Sequence, residues 1–149
     1  MSGENISAAK RTLGFLLRLP YETLSERVYG ALAARGFADI RPAHSAVFRY
    51  IAHAGSRVSD LAERAHLTKQ SMAYLVETLA HSGYVTVAPD PADGRAKLVC
   101  LTARGHEVSK MLVALSREVE DDFAARLAPG RMAVLRGLLS ELANGLEAP

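Results

Sequence analysis

A run of three short amphipathic helices, followed at once by a change to β periodicity, constrains the fold of this chain more than any other feature. Apolar side chains recur at i, i+3, i+4 and i+7 over residues 43–54, which predicts a helix that ends at Gly55. A second helix, only about two turns long, is expected from Ser59 as its N-cap. Thr68 is the expected N-cap of a third helix, which ends at Gly83. This order of elements is typical of a helix-turn-helix.

The β-forming residues that follow predict a hairpin. Residues 84–87 and 98–101 are rich in β-formers, and the segment 90–94 between them is dense in turn residues, which indicates a long loop. The hairpin tip carries the cations Arg95 and Lys97. Helices followed by such a hairpin predict a mainly α fold with a small β-hairpin wing, a winged helix-turn-helix.

Helical segments flank this unit on both sides. Residues 6–36 favour helix, but Pro20 must bend the segment or divide it into two short helices. Thr102 can cap a long helix that runs to about residue 127, and Pro129 opens a last helix. In the last helix, apolar residues at heptad spacing predict a dimer interface formed by Met132, Leu135, Leu139 and Leu142.

The charge of the chain is unevenly distributed, although its net value is only +2. Residues 41–106 hold eight Lys and Arg against five Asp and Glu, a balance of +3. Residues 107–149 hold five against seven, a balance of −2. The basic part of the chain therefore coincides with the predicted winged helix, where a nucleic-acid partner would bind.

Cysteine content and hydropathy bear on the compartment. Cys100 is the only cysteine, so no intrachain disulfide can form, and a reducing intracellular compartment is the simpler expectation. Its apolar neighbours favour a small buried hydrophobe, with a redox thiol as the alternative. No apolar run approaches the roughly 18 residues of a membrane-spanning helix. We therefore expect a cytoplasmic protein without a membrane partner.

The third helix and the hairpin tip present side chains suited to double-stranded DNA. The helix can bury its apolar stripe and offer polar side chains to the major groove, where Gln pairs with adenine and Lys with guanine. Arg95 can enter the minor groove, with Asp93 holding its guanidinium, while Lys97 suits a phosphate. The expected DNA-contacting residues are Thr68, Lys69, Gln70, Ser71, Ala73, Tyr74, Asp93, Arg95 and Lys97. The alternative is a solvated helix face and a charged turn.

Three segments resemble MarR-type transcriptional regulators. They are Val58–Arg64, Thr68–Gly83 and the wing Asp90–Arg95, which is followed by Leu101-Thr102-Ala103-Arg104-Gly105. The resemblance implies a homodimer that binds a palindromic operator with one recognition helix per half-site. It also implies a ligand pocket where the dimerisation and DNA-binding parts meet, and it favours a repressor over an activator. Pro89 and Tyr74 depart from the residues usual in the family.

The resemblance divides the chain into three parts that form one compact unit. Residues 1–40 are the N-terminal dimerisation helices, residues 41–104 the DNA-binding winged helix-turn-helix, and residues 105–149 the C-terminal dimerisation helices. An apolar pocket between them would accept a small aromatic or phenolic effector. Its expected lining is Phe15, Arg18, Tyr21, His44 and Phe48, with Arg18 or His44 as the polar anchor. The alternative is that the rings belong to the core.

Other classes of function have less support. The chain lacks nucleophile-elbow, P-loop, H-E-x-x-H and dinucleotide motifs, so we expect no enzyme and name no catalytic residue. The five histidines are not spaced as metal ligands, so no metal or cofactor is expected. The remaining rival is a winged-helix module that binds protein instead of DNA. Lys69, Arg95 and Lys97 argue against it, because a protein-binding surface would be apolar there.

Overall fold

The computed structural model describes residues 12–147, and within them the chain forms helices packed around a small antiparallel sheet. The elements in chain order are α1 (Leu13–Ala34), a 3-10 helix (Pro42–His44), α2 (Ser45–Tyr50), β1 (Ser56–Arg57), α3 (Val58–Arg64), α4 (Lys69–His81), β2 (Val85–Asp90), β3 (Asp93–Leu101), α5 (Ala103–Ala124) and α6 (Arg131–Glu147). This arrangement confirms the predicted winged helix-turn-helix with helices on both sides.

Helix α1 is one continuous helix and not two. It runs through Pro20, and the hydroxyl of Thr12 caps its start by accepting from the amide of Phe15. Of the predicted helical segment, residues 6–11 lie outside the described part of the chain. At the other end of the chain, Thr102 accepts from the amide of Gly105, which confirms it as the N-cap of α5.

Two predicted helix boundaries are wrong. The helix expected over residues 43–54 ends at Tyr50, because the chain turns there and enters strand β1. Helix α3 begins at Val58 with Arg57 as its N-cap, so Ser59 lies inside the first turn. The two residues of β1 pair with β3. A strand of two residues is too short to show the alternation of apolar and polar side chains by which strands are predicted.

The boundaries of α4 are as predicted. The amide of Ser71 donates to the hydroxyl of Thr68 over 3.1 Å, which confirms Thr68 as the N-cap. The helix ends at His81, and Gly83 follows in a left-handed conformation with φ of 82°. In the turn before α4, His66 takes a φ of 53°, a left-handed conformation in which His is enriched among residues other than glycine.

The wing hairpin has a tight turn in place of the predicted long loop. Asp90 pairs with Asp93 across the turn, so only Pro91 and Ala92 connect the two strands. One oxygen of Asp90 accepts from the amide of Ala92 at 2.8 Å, and Asp93 accepts from the amide of Arg95 at 3.1 Å. These aspartates satisfy the turn's backbone donors, which allows the strands to extend further than their β propensities predicted.

One core joins the flanking helices to the winged helix. It contains Val28 and Leu32 of α1, Leu61 of α3, the α4 stripe Met72, Val76 and Leu79, Tyr84 and Val99 at the sheet, and Val108, Leu115 and Val119 of α5. Cys100 on β3 is half-buried, and its thiol lies 3.9 Å from the carbonyl oxygen of Ala54. Within residues 12–147, no helix has both the length and the hydropathy needed to cross a membrane.

Candidate nucleic-acid interface and neighbouring cavity

The N-terminal turn of α4 exposes a row of polar side chains. Met72, Val76 and Leu79 turn inward, and this leaves Lys69, Gln70, Ser71, Ala73 and Tyr74 exposed on the outer face. Thr68 donates its hydroxyl proton to the Ser71 oxygen over 2.9 Å, so the Ser71 proton is free to donate outward. Tyr74 is 66% exposed on the same outer face.

The wing carries two exposed cations on one strand. Arg95 and Lys97 lie two residues apart on β3, and both are exposed. Neither enters a salt bridge within residues 12–147. Asp93 does not hold the Arg95 guanidinium as expected, because its carboxylate accepts from the Arg95 backbone amide instead. Both cations are therefore available to an anionic partner.

An ion pair that sequence reasoning missed lies at the base of the wing turn. The Nε atom of Arg57 donates to Asp90 over 2.7 Å, and the Asp90 side chain is only 10% exposed. The hydrogen bond from the Ala92 amide and then the Arg57 guanidinium hold the pKa of Asp90 below its usual range. Arg57 lies on the short strand β1, and nothing in the local sequence predicts its partner.

His44, the last residue of the 3-10 helix, is buried against α4. Its Nδ1 accepts from the amide of Arg41 at 2.9 Å, and its Nε2 lies 3.0 Å from the hydroxyl oxygen of Thr78. Burial, and then the charge of Arg41, lower the pKa of His44. Both ring nitrogens are therefore occupied within the fold.

A cavity of about 440 Å³ lies where α1, α2 and α5 meet. Its lining mixes rings, serines and arginines: Tyr21, Leu24, Ser25, Val28, Tyr29, Ser45, Phe48, Arg49, Ser109, Leu112, Val113, Ser116, Arg117 and Arg136. Of the five residues expected to line a pocket, Tyr21 and Phe48 do so here. Phe15, Arg18 and His44 lie elsewhere, and Arg18 pairs with Glu22 at 2.7 Å.

The arginines of this cavity differ in availability. Arg136 makes two bonds to the carboxylate of Glu120, at 2.6 and 2.7 Å. Arg49 lies 5.9 Å from the centre of the Tyr50 ring, and Arg117 enters no salt bridge in the described part of the chain. Burial raises the pKa of Tyr29, so this phenol stays protonated and can donate a hydrogen bond. Sequence reasoning missed Arg49 as a lining residue. Its position directly after Phe48, a residue predicted to line the pocket, is the signal that could have found it.

Helix α6 leaves an apolar face uncovered. None of its side chains is buried within residues 12–147, and Leu135, Leu139 and Leu142 are 42%, 38% and 44% exposed. Met132 is half-buried against the end of α5, and it shares an open groove with Leu19, Pro20 and Phe123. The four residues of the predicted seam thus lie together on one face, and their role in dimerisation stays a prediction.

Comparison with known proteins agrees with this geometry. The MarR family's sequence model matches residues 38–96. The transcriptional regulator HosA of Escherichia coli O111:H- is 29% identical over 107 residues, which are 71% of this chain and 79% of that protein.

Two regulators are among the solved structures that share the fold. Wild-type MarR from E. coli, in its apo form, has a TM-score of 0.72 and 22% identity, over 88% of this chain and 96% of that one. The PcaV transcriptional regulator from Streptomyces coelicolor has a TM-score of 0.64 and 24% identity, over 91% and 98% of the two chains. Residues 38–96 are therefore similar in sequence to the MarR family, as the motifs indicated, and the described chain has the winged helix-turn-helix fold of these two structures.

Proposed function

We propose that this protein is a transcriptional repressor that binds a palindromic double-stranded operator as a homodimer and is released by a small ligand. One observation carries the DNA-binding part of this proposal. The polar N-terminal turn of α4 is exposed together with Arg95 and Lys97 of the wing, and both cations lack an intramolecular salt bridge within residues 12–147. A polar helix start suits the major groove, and a narrow cationic hairpin suits the minor groove beside it.

The homodimer is supported by the apolar faces at the two ends of the chain. Leu135, Leu139 and Leu142 of α6 are exposed, and so are Leu16 and Leu17 of α1. A soluble chain rarely leaves such side chains in water, because each contiguous apolar patch costs free energy until it is covered. A second copy covers both helices at once and places two α4 helices on one duplex. Two-fold symmetry then requires an inverted repeat.

Release by a small ligand is supported by the cavity between α1, α2 and α5. Its rings favour an aromatic ligand, and Arg49 and Arg117 favour one that carries a negative charge. We therefore place the polar anchor at these arginines, in place of Arg18 or His44. The probe is benzoate, which carries the negative charge, and the control is neutral benzamide. If the charge of the ligand matters, benzoate should bind and benzamide should not. Replacement of Arg49 or Arg117 by methionine should abolish benzoate binding, and unchanged binding would contradict the anchor.

Repression requires no contact beyond DNA binding, since a dimer seated on a promoter blocks polymerase sterically. Activation would require a polymerase-facing surface, and no residue of the described chain marks one. The rival is a protein-binding module that never meets DNA. The exposed Lys69 at the start of α4 and the two wing cations favour DNA, because they match phosphate and guanine better than an apolar protein surface.

The deciding experiment is a selection of bound duplexes from a random DNA pool. The selected duplex and a scrambled version are then titrated at several salt concentrations. We expect an inverted repeat with half-sites about 10 base pairs apart, bound at least about a thousandfold more tightly than the scramble. If no motif is enriched and only weak, salt-labile binding remains, the operator proposal is wrong and the alternative, a module that binds protein, takes its place.

A further inference from the structure

We propose that Arg57 is a positioning residue for the wing, whose ion pair with Asp90 holds the wing turn in the orientation that Arg95 needs to reach DNA. This inference rests on the proposed DNA-binding function. Arg57 lies outside α4 and outside the hairpin, so neither part of the expected DNA surface includes it.

The ion pair spans the sheet from one edge to the other. The strand order is β1-β3-β2, so Arg57 and Asp90 belong to the two edge strands. Arg57 pairs in register with Leu98 of the central strand, and Leu98 pairs with Ala88 of β2, two residues before Asp90. The Arg57 side chain must therefore cross β3 to place its Nε 2.7 Å from the Asp90 carboxylate. It clamps the two edge strands together beside the turn of the hairpin.

The Asp90 carboxylate connects Arg57 to the turn, because it accepts a hydrogen bond from each. Its Oδ2 accepts from Arg57, while its Oδ1 accepts from the amide of Ala92 inside the turn. The strand register is irregular between Pro89 and Asp90, so the ladder is weakest where the ion pair is formed. A short two-stranded hairpin is only marginally stable alone, so a restraint at this irregularity decides its orientation.

The restraint reaches Arg95 through the far side of the turn. Asp90 pairs with Asp93, and the carboxylate of Asp93 accepts from the backbone amide of Arg95 at 3.1 Å. Two aspartates and one arginine thus connect β1 to the residue that we expect in the minor groove. Loss of the ion pair between Arg57 and Asp90 should leave Arg95 present on the wing, but with its orientation less restrained.

The first test needs no DNA. Amide hydrogen exchange is measured on the wild type and on Arg57→Met, with Val76 in the core of α4 as the internal reference. We expect the amides of Ala92 and Arg95 to exchange at least about fivefold faster in the variant, with Val76 unchanged. Asp90→Asn should have the same effect, because it weakens the same pair from the other side. Unchanged exchange at Ala92 and Arg95 would overturn the inference, whether or not the protein binds DNA.

The second test is a double-mutant cycle on the selected duplex. If Arg57 acts through Arg95, Arg57→Met should weaken binding about fivefold in the wild type and less than about twofold in Arg95→Ala. Arg57→Lys should recover part of the loss, because it keeps the charge beside Asp90. Melting temperatures of all variants show whether any loss of binding follows loss of folding.

A direct contact between Arg57 and a phosphate predicts a different pattern. The loss would then be equal in both backgrounds, and Asp90→Asn would leave binding unchanged or stronger, since it removes a negative charge near DNA. That pattern overturns the positioning role. Failure of the wild type to bind any duplex would instead defeat the proposed function, and the exchange measurement alone would then decide whether the ion pair orders the wing.

Discussion

The imidazole of His44 donates a hydrogen bond from Nε2 to the hydroxyl oxygen of Thr78, 3.0 Å away, and this bond ties the start of α2 to α4. The direction follows from the neighbouring bonds. Thr78 gives its own proton to the carbonyl oxygen of Leu75 at 2.8 Å, so its oxygen accepts from the ring. Nδ1 already accepts from the amide of Arg41. The ring is therefore neutral, with its proton on Nε2.

This arrangement predicts a pH-dependent stability. Because burial and Arg41 lower the pKa of His44, the unfolded chain binds a proton more readily than the folded chain. The stability is therefore complete above the unfolded pKa of about 6.5 and declines as pH falls through the folded pKa. Urea unfolding at pH 7.5 and pH 5 should show this loss in the wild type and a smaller loss in His44→Gln.

The same variant should be less stable at neutral pH. A glutamine reaches only one of the two partners, so we expect a loss of about 1–3 kcal/mol from the group left unpaired. His81→Gln is the matched control, because His81 is an exposed histidine on α4. Equal pH dependence in the wild type and His44→Gln would show that His44 does not cause it.

Replacement of Arg95 tests the wing contact. Arg95→Ala should weaken binding to the selected duplex by about 1–3 kcal/mol, the range for one well-placed contact. Lys97→Ala should act differently, because a phosphate contact lowers affinity for all sequences and reduces the salt dependence by about one ion. Titrations at several salt concentrations distinguish the two. Unchanged affinity in Arg95→Ala would remove the wing from the mechanism.

Gly105 marks a close approach that tolerates no side chain. A Cβ built at this position would lie 2.0 Å from the carbonyl oxygen of Tyr84, which also accepts from the amide of Thr102. Gly105→Ala must therefore push the start of α5 away from the sheet, and we expect a loss of about 3 kcal/mol. Gly30→Ala on α1 meets no atom within 4 Å and should instead raise stability by up to about 1 kcal/mol. Chemical denaturation measures both, and equal effects would refute the close contact.

The apolar face of α6 predicts the behaviour of a charged variant. Leu139→Glu combined with Leu142→Glu should convert the dimer into monomers, because four carboxylates would meet across the two-fold axis. Light scattering measures the mass, and operator binding should weaken with it. Ser140→Glu adds a charge on the same helix but off the predicted seam, and should leave the dimer intact. A double variant that stays dimeric would show that the seam lies elsewhere.

Local signals predicted most of the helical framework. The sequence predicts Thr68 and Thr102 as N-caps, because a cap bonds an amide only three residues ahead. The inward stripe of α4 follows from helical periodicity, which any packing of the chain must respect. The prediction of a long loop in the wing was wrong because the turn does not depend on average propensities. Propensity measures the average behaviour of Asp and Pro, whereas two particular side-chain bonds of Asp90 and Asp93 close this turn.

The sequence by itself determined where α4 and α5 begin, which face of α4 turns inward and which polar side chains remain on α4 and the wing. Only the tertiary structure decided the partners of Arg57 and His44, which lie 33 and 34 residues away along the chain. It likewise decided that Arg49 and Arg117, and not Arg18, line the cavity. Such partners are chosen by strand order and helix packing, and these depend on the whole core at once rather than on any local stretch of residues.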